Sequence, residues 1–155
     1  MAGSTAAALF LATSAIVRRY HETEPGAARV RALCRSSRGN RLIILRLASV
    51  EVASAFNRQL REGRISQAYR DRNWRLFQRH LRDQYHVVAV DEQVYQRAEQ
   101  LLFSHPLRAY DALQLAAALI VVGLFGSSMQ FRFCSADRTQ AQAARAEGLD
   151  VELIA

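Results

Sequence analysis

The chain has 155 residues and a mass of 17.4 kDa, room for one domain with a sizeable core but not comfortably for two. Half of it is hydrophobic and 23% charged, with only 7 glycines and 2 prolines, which excludes a disordered tail, a collagen-like repeat and a low-complexity linker. All 21 basic residues are arginine and they face 14 acids, so the net charge of +7 and pI near 10.4 point to a polyanionic partner, nucleic acid or an acidic polypeptide.

In chain order, short apolar runs alternate with longer segments of helical period, the pattern of a parallel sheet covered by helices. Residues 9–12 read as the first strand. Pro25 and Gly26 open a helix that turns Val30 and Leu33 inward. After a strand at 42–45, Ser49 is placed to cap a helix whose Val52, Phe56 and Leu60 share a face, and Gly63 stops it. Ser66 caps the next helix, with Trp74, Phe77 and Leu81 inward and Arg70, Arg72, Arg75, Arg79 and Arg82 on its outer surface. A strand at 87–90 leads to Asp91, which begins a helix carried by Val94, Ala98, Leu101 and Leu102 and ended by His105-Pro106. An apolar helix follows Arg108 and ends at Gly123 and Gly126. A strand at 131–134, a helix built on Ala141 and Ala144 that stops at Gly148, and a strand at 151–154 complete the chain. With no linker and no repeat, residues 1–155 are expected to form one α/β domain.

Neither apolar stretch reads as an export or membrane signal. Residues 6–17 have no positive charge before them and Arg18-Arg19 behind them, the reverse of a signal peptide. The uncharged stretch at 112–125 is shorter than the roughly 20 residues that span a bilayer. Cys34 and Cys134, one hundred positions apart, make neither a disulfide framework nor a zinc cluster. A soluble, reduced, cytoplasmic protein with no membrane partner is expected.

In open α/β sheets function collects outside the carboxyl ends of the strands. Glu62, Asp71, Asp83, Glu99 and Glu147 sit at helix caps or on mixed-charge surfaces and read as solvated. Three acids lie instead in apolar sequence after strands or at a helix start: Glu51, Asp111 and Asp137. Any one alone complements a helix dipole. Together at one sheet end they would repel by about 4 kcal/mol per close pair at an effective dielectric of 20, a repulsion relieved by protonation or a cation. Carboxylates and water are the ligands that Mg²⁺ or Mn²⁺ prefers, and a hard divalent ion beside arginines suggests phosphodiester chemistry. His21, His80, His86 and His105 show no ligand spacing and read as surface or packing residues.

Glu51-Val52, the run from His105-Pro106 through Tyr110-Asp111-Ala112 to Ala116, and Ser135-Ala136-Asp137 resemble the blocks of PIN-domain ribonucleases, above all the VapC-type toxins of bacterial toxin–antitoxin pairs. The opening from Leu9 to Ala15, with Arg18-Arg19-Tyr20 and Pro25-Gly26, fits that family's first strand and helix, so the resemblance spans nearly the whole chain. It implies a PIN-like three-layer α/β/α sandwich around a mainly parallel five-stranded sheet. It further implies a Mg²⁺- or Mn²⁺-dependent endoribonuclease acting on RNA, usually a homodimer, held inactive by a cognate antitoxin. Within it, Asp111 is expected as a direct metal ligand, with Glu51 and Asp137 supporting the ion, Ser14 and Ser135 its waters, and Arg18, Arg19 and Arg108 the phosphates.

The sequence departs from the family pattern at position 12, where members carry aspartate and this chain has Ala12-Thr13-Ser14. A methyl group coordinates nothing, so weak metal binding and slow or absent cleavage are expected. The favoured expectation is an active toxin inactivated by an aspartate-to-alanine change at Ala12; the alternative is a naturally degenerate module that binds RNA or protein without cutting. A response-regulator-like phosphoacceptor domain also uses acids at strand ends, but it calls for a lysine and this chain has none.

Overall fold

A computed structural model describes residues 6–125 and 129–155. Its strands are β1 (Ala7–Leu11), β2 (Arg41–Leu45), β3 (Tyr85–Val88), β4 (Gln130–Ser135) and β5 (Val151–Leu153). Its α-helices are α1 (Thr13–Tyr20), α2 (Ala27–Cys34), α3 (Ala48–Arg61), α4 (Gln67–Asp83), α5 (Glu92–Ser104), α6 (Ala109–Phe125) and α7 (Arg138–Ala146), with one 3₁₀ turn at Ser36–Arg38. The strands form one sheet in the order β3-β2-β1-β4-β5, and every pairing is parallel.

Alternate residues of the strands feed two cores, as period-2 geometry requires. Leu9, Leu11, Leu42 and Ile44 pack with α1–α4 through Ile16, Val30, Val52, Phe56 and Phe77. Phe10, Ile43, Leu45 and Phe133 pack on the other face against α5–α7 through Val94, Leu101, Leu115, Ala116 and Ala144. Helices therefore cover both faces of the central sheet, the three-layer sandwich that the resemblance implies. The order reverses between β1 and β4: the chain steps outward from β1 to β2 and β3, then returns to β1's other side. That switch point opens a crevice at the strands' carboxyl ends.

Most sequence expectations fall on their elements, with local corrections. Ser66 and Asp91 cap α4 and α5, accepting from the amides of Tyr69 and Val94 at 3.1 and 3.0 Å. Ser49 does not cap α3, which starts one residue earlier; its hydroxyl bonds the Arg46 carbonyl at 3.2 Å and also meets the Arg46 guanidinium. β3 runs two residues earlier than 87–90 because Tyr85 pairs with Leu42 and fills the core. Leu102 is exposed, lying off the face that buries Val94, Ala98 and Leu101. α6 runs through Gly123 to Phe125, its apolar packing overriding glycine's weak helix propensity, and Gly126 lies outside the described residues. Among the described residues no single helix is long and apolar enough to cross a membrane.

Candidate active site

The crevice is framed by the ends of β1 and β4. Ala12, 1% exposed, follows β1 in extended geometry and donates its amide to the Cys134 carbonyl at 2.9 Å. It occupies the N-cap of α1, yet its side chain offers that helix no hydrogen bond. At the second residue of α1, the Ser14 hydroxyl accepts from the Ala136 amide at 2.9 Å and lies 3.3 Å from the Ser135 hydroxyl. Ser135, fully buried, donates to Gln140 Oε1 at 2.7 Å and accepts from the Asp137 amide at 3.1 Å. These two hydroxyls, expected to orient metal-bound waters, are engaged inside the protein and lock the β1 and β4 ends together. Asp137 caps α7 by accepting from the Gln140 amide at 2.9 Å.

Glu51, in the first turn of α3, is held on one oxygen. Its Oε1 accepts from the Thr13 hydroxyl at 3.0 Å and from Gln114 Nε2 at 2.6 Å. Gln114 Oε1 in turn accepts from the Thr13 amide at 3.0 Å, satisfying an N-terminal donor of α1 that the Ala12 side chain leaves untouched. Gln114 is 1% exposed, and leaving such a buried amide unpaired costs about 1–3 kcal/mol. Sequence reasoning missed it. The signal was present: Gln114 is the one polar residue between Ala112 and Val122, one turn after Asp111.

Asp111 stands near the start of α6, and its carboxylate makes no hydrogen bond among the described residues. Burial raises its pKa above the ordinary value and the Asp137 charge raises it further, against a lowering by Arg108. Glu51 is also raised, first by burial and further by the Asp111 charge, with the Thr13 and Gln114 hydrogen bonds opposing. The three acids are thus linked in a row of mutual repulsion, Glu51 to Asp111 to Asp137, though they come from three distant stretches of sequence. Gln140 ties two members of the row together, its amide N–H capped by Asp137 and its Nε2 donating to the Asp111 carbonyl at 3.2 Å.

A cleft of about 560 Å³ opens onto Glu51 and Asp111, lined also by Thr13, Ser14, Arg18, Arg58 and Arg108; Asp137 lies outside its lining. Val50 and Tyr110, 64% and 56% exposed, also line it. Arg18 anchors itself on the Ser14 and Pro25 carbonyls, at 2.8 and 2.9 Å. Arg19 goes elsewhere: it packs over the Tyr20 and Tyr85 rings and donates to the Tyr85 hydroxyl and Gln84 Oε1. Consecutive residues of a helix point about 100° apart, so of Arg18 and Arg19 only Arg18 lines the carboxylate cleft.

The residues present do not complete a site for a divalent ion. Among the described residues no three His, Cys, Asp or Glu side chains stand together as a metal-holding group. A methyl fills the corner at position 12, and one oxygen of Glu51 already accepts two hydrogen bonds. Arg108 offsets the Asp111 charge, and the Thr13 and Gln114 hydrogen bonds that of Glu51, yet burial leaves both pKa values raised.

The model of the PIN domain family matches residues 9–122, and the chain belongs to that family. The fold agrees with solved structures at low identity. The VapBC2 complex of Rickettsia felis, bound to a DNA fragment from its promoter, has a TM-score of 0.64 and 11% identity over 94% of this chain and 98% of the other. VapC20 of Mycobacterium tuberculosis, a sarcin–ricin loop cleaving toxin, gives 0.63 and 17%, covering 91% of this chain and 95% of that one. FitAcB of Neisseria gonorrhoeae gives 0.59 and 12%, covering 92% and 95%. No curated protein sequence matches the chain.

Proposed function

We propose that this chain has the frame of a metal-dependent endoribonuclease toxin of a toxin–antitoxin pair, disabled for hydrolysis by alanine at position 12. The observation that carries this reading is the row Glu51–Asp111–Asp137 at the sheet's switch point, with Glu51 and Asp111 open to a cleft that Arg18 and Arg108 also line. Membership of the PIN domain family, whose nucleases usually use divalent metals, and the fold shared with VapC20 and VapBC2 support it. On this reading Asp111 and an aspartate at position 12 would be the direct ligands of a Mg²⁺ or Mn²⁺ ion, with Glu51 and Asp137 supporting the ion or its waters. Arg18 and Arg108 hold the RNA backbone, a cognate antitoxin restrains the parent activity, and the protein works in the cytoplasm as a homodimer.

A second reading, a degenerate module that binds RNA or protein without cutting, is favoured by the occupied oxygen of Glu51. One experiment separates them. Ala12→Asp is expected to give Mg²⁺-dependent RNA cleavage that EDTA abolishes, while the chain with Ala12 cleaves nothing. An Ala12→Asp protein that folds but leaves a panel of tRNA, ribosomal RNA and mRNA intact supports the binding module.

A further inference from the structure

The outer face of α4 carries a charge that the carboxylate cleft does not use. Arg72, Arg75 and Arg79 are all exposed and lie at i, i+3 and i+7, on one face over a rise of roughly 10 Å. None of them has an ion pair or hydrogen bond among the described residues. Other arginines are ion-paired, Arg29 and Arg132 with Glu152, Arg64 with Glu24, Arg70 with Asp71 and Arg97 with Glu147, whereas these three stand unpaired side by side on one helix face. These three line a shallow groove of about 440 Å³ with Leu76. Through Arg72 and Leu76 the groove runs into a second, larger and more open cleft of about 620 Å³ between α4, α2 and the 3₁₀ turn. Its lining holds Arg35, Ser36, Ser37 and Tyr69 together with Arg19 and Arg31, which are already hydrogen-bonded within the protein, and its one acid, Glu22, is paired with Arg31 at 3.4 Å.

We propose that this groove and cleft form a track for the sugar-phosphate backbone of single-stranded RNA, separate from the carboxylate cleft. It rests on the reading of the chain as an RNA-binding PIN domain, and deepens it by placing a second contact surface. Two features favour a nucleic acid over an acidic polypeptide. Protein interfaces are built around a buried apolar centre, and the exposed large hydrophobics of this chain (Val50, Val87, Tyr95, Leu102, Phe103, Tyr110 and Leu124) all lie outside α2, the 3₁₀ turn and α4. The surface instead offers planar guanidinium forks, which match phosphate oxygens, with hydroxyl donors and a tyrosine beside them.

The test uses the full chain and R72Q/R75Q/R79Q, whose changes are confined to exposed positions. Binding of a fluorescein-labelled single-stranded oligoribonucleotide is followed by anisotropy across a KCl titration, with circular dichroism to verify the fold. Each single-strand phosphate contact contributes about 0.7 to the slope of log K against log salt. The triple variant is therefore expected to lose about 2 from that slope and to bind about tenfold or more weakly at low salt. Unchanged slope and affinity overturn the track. Polyglutamate that binds the parent chain as tightly as the RNA, and is lost equally in the variant, overturns it in favour of an acidic polypeptide. The outcome is independent of the nuclease reading: a reduced slope beside an inert Ala12→Asp protein keeps the track and discards the nuclease, and the converse pair of results does the reverse.

Discussion

Asp111 and Gln114 show how far one turn of helix can differ in purpose. Gln114 has both ends of its amide satisfied and stabilises the junction of α1, α3 and α6. Asp111, three residues earlier, is half-buried, has no donor among the described residues, and feels Asp137 as a like charge. Its pKa is raised in the folded chain, so the fold binds its proton at a higher pH than the unfolded chain does. Stability therefore falls as pH rises through the interval between the unfolded and folded values, and the penalty is fully present above it. Asp111→Asn is expected to raise the denaturation midpoint at neutral pH, with the gain shrinking to nothing in acid below the carboxylate range. Urea titrations at the two pH values measure it; an Asn variant less stable at neutral pH contradicts the repulsion.

At the scale of elements, the α5–α6 corner that delivers Asp111 is pinned from outside by α7. His105, the C-cap of α5, meets Glu147 Oε2 at 2.7 Å, and Arg97 donates to Glu147 Oε1 at 2.7 Å. The His105 hydrogen bond is the main reason that the Glu147 pKa lies below its ordinary value. That stabilisation is present above the unfolded-state pKa and is lost as pH falls through the lowered folded value. Glu147→Gln is expected to cost about 0.3–1 kcal/mol at neutral pH, as partly exposed pairs do, and nothing in strong acid. Equal losses at both pH values would assign the effect to packing instead. The elements were legible where their signals are local: five apolar runs for five strands, Ser66 and Asp91 for two caps, Gly63 and Gly148 for two helix ends. Ser49 was misread because α3 begins before it and its hydroxyl turns back to the Arg46 carbonyl. Glu147 does sit at a helix end among charges, and only its partners, Arg97 and His105, were beyond the reach of spacing along the chain. The helix α1 carries too little periodicity in its eight residues to be read from pattern, and only the family resemblance placed it.

Over the whole molecule, strand order explains why acids at 51, 111 and 137 belong to one place: β1 and β4 are neighbours, and the crossover between them opens the crevice where α1, α3 and α6 begin. That Glu51 and Asp137 follow strands and that Asp111 opens an apolar helix was legible in the sequence. That Ser14, Ser135 and one oxygen of Glu51 are already taken by partners within the protein was not, since it depends on side chains from α6 and α7 reaching across the crevice. The central claim is that this crevice is a cation site lacking one carboxylate. Calorimetric titration of Mn²⁺ into the chain and into Ala12→Asp tests it most directly. One ion per chain bound by Ala12→Asp, lost again on adding Asp111→Asn, with no measurable binding to the Ala12 protein, is the predicted result. Equal binding by both proteins, or none by a folded Ala12→Asp, would contradict it.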